Sequence, residues 1–319
     1  MLINTMRVVE AIVLRTRALF RSKSFLFFIT GWLFAVVLVC YSENQYESQL
    51  FSAIARRVID HPDWGTKIPT DSLLVRCLHV TNLLEQNRQL MFEEHEPDGL
   101  KAQFIRPVTV DLTTASGACG SYSIVLARLL RQINIPVRIA QMKVGSGTGG
   151  HIVVEAKSNN QWIVLDPLYN LIFKRPDGKF ASFSDISNNW SFYRKQVPEG
   201  YNPNYAYEKV QYTNWNKIPV LLPAIRDFLY IIYGKKKTDE ISLRVFFINK
   251  FEVLFWIFFT LFLVSGIFSL RAHMRDWKQG NAEVLKTLFP PETISQSELW
   301  RIRQTLGRPS EASHSREVS

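Results

Sequence analysis

Three residues in the central part of the chain have side chains that could act together as a nucleophile and its base. Cys119 follows a run of small residues, His151 begins an apolar segment, and Asp166 ends the next apolar segment, directly before Pro167. In a catalytic triad the carboxylate orients the imidazole and the imidazole activates the thiol. This chemistry requires structural elements that bring the three side chains into contact.

The residues that follow Cys119 predict an amphipathic helix. Apolar side chains fall on one side of it and charged or amide side chains on the other, and it should end at Asn134, two residues before Pro136. Cys119 would then lie at or just before the helix N-terminus, where unpaired N–H groups and the helix dipole lower a thiol pKa that is normally about 8.5. Taken alone, such a cysteine is more often a small buried side chain without chemistry.

Three strands are predicted after this helix, at residues 137–144, 151–156 and 161–166, with a glycine-rich loop and a short turn between them. The last two form a hairpin. If its turn is centred between Ser158 and Asn159, His151 lies directly opposite Asp166; a centre half a residue further on pairs His151 with Pro167 and keeps Asp166 adjacent. Opposed side chains have Cβ atoms about 4.5–5.5 Å apart, which allows an imidazole–carboxylate hydrogen bond.

Together these residues resemble the transglutaminase-like superfamily of papain-like cysteine enzymes. The motifs that carry the resemblance lie within about residues 113–170: Gly117-Ala118-Cys119, Ala127-Arg128-Leu129-Leu130, Asn134-Ile135-Pro136-Val137-Arg138, His151 and Trp162-Ile163-Val164-Leu165-Asp166-Pro167. The resemblance implies an α+β fold with a helix packed on an antiparallel sheet. It also implies a nucleophilic Cys119, a general base and acid in His151, and an orienting Asp166.

Two positions depart from the family pattern. The animal enzymes have a tryptophan upstream of the cysteine that helps to hold the oxyanion, whereas no tryptophan lies between Trp64 and Cys119. Gln103 is a candidate for that role. Asn134 stands where the family often has glycine, and both residue types accept the left-handed conformation.

Two apolar runs without charged residues, 24–42 and 253–270, flank this part of the chain. At about 1.5 Å per residue each reaches roughly the 30 Å thickness of a bilayer core. The first is longer than the apolar part of a signal peptide and lacks a small-x-small cleavage site, which favours an uncleaved anchor over a signal peptide. Helices buried in a large soluble core are the other alternative, but the middle of the chain is too small to bury two of them.

Basic residues precede the first run and follow the second, so both termini are predicted to be cytoplasmic and residues 43–250 to lie outside the inner membrane. Lys235, Lys236 and Lys237 on the outer side argue against this orientation, but long domains translocate largely regardless of charge. The predicted organisation is a basic lead (1–23), a first span (24–42), a transglutaminase-like domain (43–217), a connector (218–250), a second span (251–270) and a cytoplasmic tail (271–319).

Helical spacing of apolar residues predicts helices within residues 50–87, interrupted near residues 61–65. In the connector, residues 220–233 are too short and too interrupted to span a membrane. They predict either a helix that lies in the membrane interface or a helix packed on the domain.

Composition narrows the functional classes. The net charge of +10 could indicate nucleic acid binding, but arginines and aromatic residues do not interleave in the manner of an RNA-binding surface, so nucleic acid is excluded as a partner. Three cysteines do not form a disulfide framework, although a single Cys77–Cys119 disulfide is an alternative. The spacing of Cys119 and His151 fits no common zinc motif, and neither a metal nor a cofactor is expected.

The leading hypothesis is a membrane-tethered thiol acyltransferase or amide hydrolase that acts on a peptide or protein amide outside the membrane. Whether the product comes from hydrolysis, deamidation or cross-linking depends on the acceptor that reaches the thioester. The alternative is a catalytically silent binding or assembly subunit of a membrane complex. Membrane lipid is a predicted partner in either case.

Overall fold

The computed structural model describes residues 22–59, 68–92, 107–114, 117–144, 150–215 and 220–288, with 297, 300, 301 and 304. Gln103, the basic lead up to residue 21, residues 145–149 of the predicted glycine-rich segment and most of the predicted tail lie outside these ranges. By its internal contacts the chain divides into two compact units, residues 1–35 with 258–319 and residues 36–257.

Helices and strands alternate irregularly along the chain. The helices are α1 (Lys23–Ile59), α2 (Thr70–Met91), α3 (Val108–Thr113), α4 (Cys119–Gln132), α5 (Phe183–Asn188), α6 (Trp190–Tyr193), α7 (Leu221–Tyr233), α8 (Lys235–Asp239), α9 (Arg244–Ile248) and α10 (Lys250–Leu288). The strands are β1 (Val137–Val144), β2 (Gly150–Ser158), β3 (Gln161–Asp166), β4 (Leu171–Ile172) and β5 (Tyr205–Gln211).

Within the described residues the five strands form one antiparallel sheet in the order β4-β3-β2-β1-β5. Strand residues alternate between the two faces of a sheet. Val154 and Ala156 face a core built with α2, α4 and the second half of α1, whereas Val153 faces an aromatic-rich core built with α5 and β5. The fold is therefore α+β, with helices packed on an antiparallel sheet.

The β2–β3 hairpin has a tighter turn than predicted. Ser158 pairs with Gln161, and Asn159 and Asn160 form a two-residue turn with φ of 48° and 63°. Two-residue hairpin turns of this kind need positive φ at both positions, which asparagine tolerates. The predicted centre between Ser158 and Asn159 was wrong by one residue.

This register also corrects the position of His151. Val154 pairs with Leu165, so continuing the ladder puts Asp166 beside Val153 instead of His151, and the prediction that His151 and Asp166 are directly opposed was wrong. The observed partner of Asp166 is therefore two residues along β2 from the predicted partner. Because side chains alternate with a period of two, both residues still lie on the same face.

Two helices, α1 and α10, are long and apolar enough to cross a membrane, which suggests membrane association. Both extend beyond the predicted spans. Beyond its apolar run, α1 places Phe51 and Ala55 in the core of the sheet domain, so burial stabilises its extension. Within the unit of residues 1–35 and 258–319, α1 and α10 contact each other through hydroxyl groups. Thr30 Oγ1 lies 2.7 Å from Ser265 Oγ and 3.0 Å from Ser269 Oγ. Such interhelical hydrogen bonds are typical of membrane helices.

Candidate active site

Cys119 is the first residue of α4, as the sequence predicted. The backbone just before it turns through Gly117, whose φ is 102°, a conformation that other residues rarely adopt. A Cβ at that position would also lie 3.1 Å from Ser121 Cβ. At the other end, Asn134 has a φ of 60° and closes the helix in the left-handed conformation expected there. Ser123 Oγ donates to the Ile152 carbonyl at 2.9 Å and ties the start of α4 to β2.

His151 and Asp166 are in direct hydrogen-bond contact. His151 Nε2 lies 2.6 Å from Asp166 Oδ2, although the two residues are diagonal neighbours on the sheet. They are 2% and 1% exposed, so little water competes for the contact. Because Nε2 is hydrogen-bonded to the carboxylate, Nδ1 is the ring nitrogen that can exchange a proton with Cys119.

The Cys119 side chain has hydrogen bonds with the His151 side chain and with the backbone of Ile152. Burial raises the pKa of the thiol, but these hydrogen bonds and the positive charge of His151 outweigh it, so the pKa lies below the ordinary value. Burial lowers the pKa of His151, while hydrogen bonds and negative charges from Asp166 and Cys119 raise it to about 9. The two shifts together favour a thiolate–imidazolium pair, the form in which a cysteine is nucleophilic.

Three tyrosines surround the histidine. The Tyr205 ring stacks on His151 with centroids 4.4 Å apart and planes 9° apart, and Tyr169 meets it edge-on at 5.8 Å. Tyr201 Oη donates to Asp166 Oδ2 at 3.4 Å and also hydrogen-bonds the hydroxyl of Tyr207. Burial raises the pKa of Tyr201, so its hydroxyl stays protonated and can donate to the carboxylate. None of these tyrosines was predicted from the sequence to belong to the site.

A cleft of about 430 Å³ opens beside the cysteine. Its lining combines backbone, apolar and polar groups: Ala118, Cys119, Val144, Gly150, His151, Leu168, Asn202 and Tyr205. That volume falls within the range of small-ligand sites, about 300–1,000 Å³. The cleft is therefore large enough to hold one side chain with its adjoining amide against the thiol.

A buried arginine holds the segment that precedes Cys119. Arg88 Nη1 donates to the carbonyls of Asp111 at 2.7 Å and Thr114 at 2.6 Å, and Nη2 donates to the carbonyl of Gly117 at 3.2 Å. Glu85, also fully buried, forms an ion pair with Arg88 at 2.9 Å. Arg88 thus joins α2 to α3 and to the backbone two residues before the cysteine.

Replacing Arg88 with Met should destabilise the domain by about 3 kcal/mol, because it leaves the buried Glu85 carboxylate without its cation. The paired variant Glu85→Gln with Arg88→Met removes both charges and should regain most of that stability. It should still slow iodoacetamide alkylation of Cys119, because the preceding backbone is no longer held. Thermal unfolding and alkylation rates of both variants measure the two effects.

Arg76→Met is the matched control for this test. Arg76 lies on the same helix and donates to the Val58 carbonyl at 2.8 Å, remote in sequence from the Cys119 segment. It should leave the alkylation rate unchanged. A folded paired variant whose Cys119 reacts at the wild-type rate would show that Arg88 supports the fold without positioning the nucleophile.

Cys77 does not belong to the site. It is fully buried in the core on the helical side of the sheet, and both it and Cys119 are free thiols. Burial raises the pKa of Cys77 to about 12. A thiol of that kind is inert near neutral pH.

The cysteine lies on a helix and is hydrogen-bonded to a histidine on a strand, and an aspartate lies on the next strand. This arrangement is typical of the papain-like class of α+β folds. Residues 96–167 match the family model described as the Transglutaminase-like superfamily. The chain therefore carries a transglutaminase-like domain, flanked by two helices that could span a membrane. No curated protein and no solved structure gives a significant match to the chain.

Proposed function

We propose that this protein is a membrane-tethered, cysteine-dependent acyl transferase or amide hydrolase that works through a thioester intermediate. The observation that carries the proposal is the hydrogen-bonded series Cys119, His151 and Asp166 at the edge of an open cleft. The transglutaminase-like match over residues 96–167 supports it, because enzymes are common in that superfamily.

The first half-reaction would form the acyl-enzyme. The Cys119 thiolate attacks the carbonyl carbon of an amide, and the carbonyl π electrons move to the oxygen. The tetrahedral intermediate collapses as the C–N bond breaks, and the His151 imidazolium gives its proton to the leaving nitrogen. Asp166 keeps the ring aligned and stabilises its positive charge before that transfer. The products are a Cys119 thioester and a neutral amine or ammonia.

The second half-reaction would regenerate the enzyme. Neutral His151 takes a proton from an incoming water or amine as that group attacks the thioester, and the Cys119 thiolate leaves. Water gives a carboxylic acid, whereas a primary amine gives a new amide. The substrate would be a peptide or protein amide, because a cleft of this size accepts a side chain together with its amide.

The thioester itself is the most direct test of this function. Membranes that contain the full chain would be treated with an alkyne-tagged aryl ester, an acyl donor that needs only an activated thiol. The expected result is a tagged protein whose tag is released by neutral hydroxylamine, which cleaves thioesters. Adding a primary amine should increase the release rate if the enzyme is a transferase. A tag that resists hydroxylamine would contradict the proposed intermediate.

The site is proposed to lie outside the inner membrane, with both termini cytoplasmic. In a Cys119→Ala background, Asp177→Cys places a thiol on an exposed turn of the sheet domain, and Glu283→Cys places one near the C-terminal end of α10. A membrane-impermeant maleimide added to intact cells should label the first variant and not the second. The reverse labelling pattern would overturn this topology.

A further inference from the structure

Helix α7 exposes an apolar stripe. Phe228 and Ile231 are 62% and 85% exposed, and Ile225 and Ile232 continue the same side of the helix. Residues three and four apart lie on one face of a helix, so these side chains form a continuous surface. None of the α7 side chains that the structure describes belongs to either apolar cluster of the sheet domain.

The opposite side of α7 has polar partners within the protein. Arg226 pairs with Asp227 at 3.0 Å and lies over the Tyr230 ring at 5.5 Å, and the Tyr230 hydroxyl donates to Asp239 of α8 at 2.8 Å. These contacts orient the helix so that its polar side faces α8 and its apolar stripe faces outward. An apolar face of this kind normally marks a surface that another phase or molecule covers.

The charged residues next to the apolar stripe indicate what covers this surface. Lys235, Lys236 and Lys237 follow α7 directly and are exposed, so the apolar stripe and a cluster of three cations are adjacent. Apolar side chains next to several lysines are the combination that binds anionic bilayer surfaces. The long apolar helix α10 begins at Lys250, a short distance along the chain, so a membrane would be available at high effective concentration.

We propose that α7 is a membrane-docking helix that lies parallel to the bilayer surface, with its apolar stripe at the boundary of the acyl chains and its three lysines on anionic headgroups. This function is separate from the cysteine chemistry and would hold if the domain were catalytically silent. Of the two predictions for residues 220–233, the proposal adopts the interfacial helix.

The test uses the full chain with Cys119→Ala, reconstituted into vesicles of phosphatidylcholine with a minority of phosphatidylglycerol. Spin labels are attached at Phe228→Cys, Ile231→Cys and Arg226→Cys in separate proteins. Oxygen concentrates in the acyl region and a nickel chelate stays in water. Labels at Phe228 and Ile231 should therefore collide more with oxygen than with the chelate, and a label at Arg226, on the opposite side of the helix, should show the reverse.

Neutralising the lysines tests the electrostatic part. Lys235→Gln, Lys236→Gln and Lys237→Gln together should lower the ratio of oxygen to chelate collisions at Ile231→Cys several-fold. The matched control is Lys174→Gln, Lys179→Gln and Lys195→Gln, three exposed lysines of the sheet domain, which should leave the ratio unchanged. The proposal is overturned if labels at Ile231 and Arg226 show equal collision ratios. It is also overturned if the Ile231 label is shielded from both reagents, the result expected for a protein partner or a second copy.

Discussion

Cys119→Ala should abolish formation of the hydroxylamine-labile acyl-enzyme, with a loss of at least about a thousandfold in acylation rate. The reason is that no other thiol in the described part of the chain contacts an imidazole: Cys40 lies in α1 and Cys77 is buried in the core. The substitution should cost little stability, because Cys119 is only partly buried at the first position of a helix. The aryl-ester assay on membranes measures the effect.

Cys77→Ala is the matched control for this experiment. Its thiol fills core space, so its removal should destabilise the domain by about 1 kcal/mol through the cavity left behind, yet acylation should continue at the wild-type rate. Protease protection of the sheet domain checks that each variant folds. A folded Cys119→Ala protein with full biological activity would favour the alternative of a binding or assembly subunit.

His151→Ala should reduce acylation by roughly a hundred- to ten-thousandfold, because it removes both the cation that stabilises the thiolate and the acid that protonates the leaving amine. Asp166→Asn should cost no more than this, since an amide can still hold the ring, although in the wrong tautomer. Initial rates with an amide substrate and with the activated ester separate the two roles. The amide should suffer more, because its leaving group needs the proton.

His79→Ala serves as the control for that series. His79 is exposed on α2 and hydrogen-bonds Asn170 at 3.2 Å, away from the cleft lining. It should keep wild-type rates for both substrates. If His151→Ala also kept them, the histidine contact would be a structural feature of the sheet and not part of a reaction.

The secondary-structure elements around the candidate site that depend on local sequence were predicted well. The apolar periodicity after Cys119 and the stop before Pro136 placed the end of α4 within two residues of its observed end, and the strand patterns predicted β1 and β3 with their observed bounds. The hairpin centre was wrong although a local signal existed. Asn159-Asn160 can supply the two positive φ angles that a two-residue turn requires, whereas Ser158 cannot do so without strain.

The parts that depend on long-range packing were not predicted. Tyr205 reaches His151 because β5 pairs with β1 across an irregularity between Met142 and Lys143, and no pattern near Tyr205 specifies that pairing. Glu85 and Arg88 lie three residues apart on a helix, a spacing typical of an exposed ion pair. Their burial arises from the packing of α2 against α3 and the Cys119 segment, which only the tertiary structure shows.

The rate of Cys119 alkylation by iodoacetamide as a function of pH shows whether Cys119 exists as a thiolate paired with a protonated His151. Because the pKa of Cys119 is lowered and that of His151 is raised to about 9, the thiolate should already form on the acid side of the ordinary thiol range. The wild-type rate should therefore rise at lower pH than that of a free thiol. In His151→Ala the cation and its hydrogen bond are gone while burial remains, so the rise should move to or above the ordinary range near 8.5. Identical pH profiles for the wild type and His151→Ala would show that His151 does not stabilise a Cys119 thiolate.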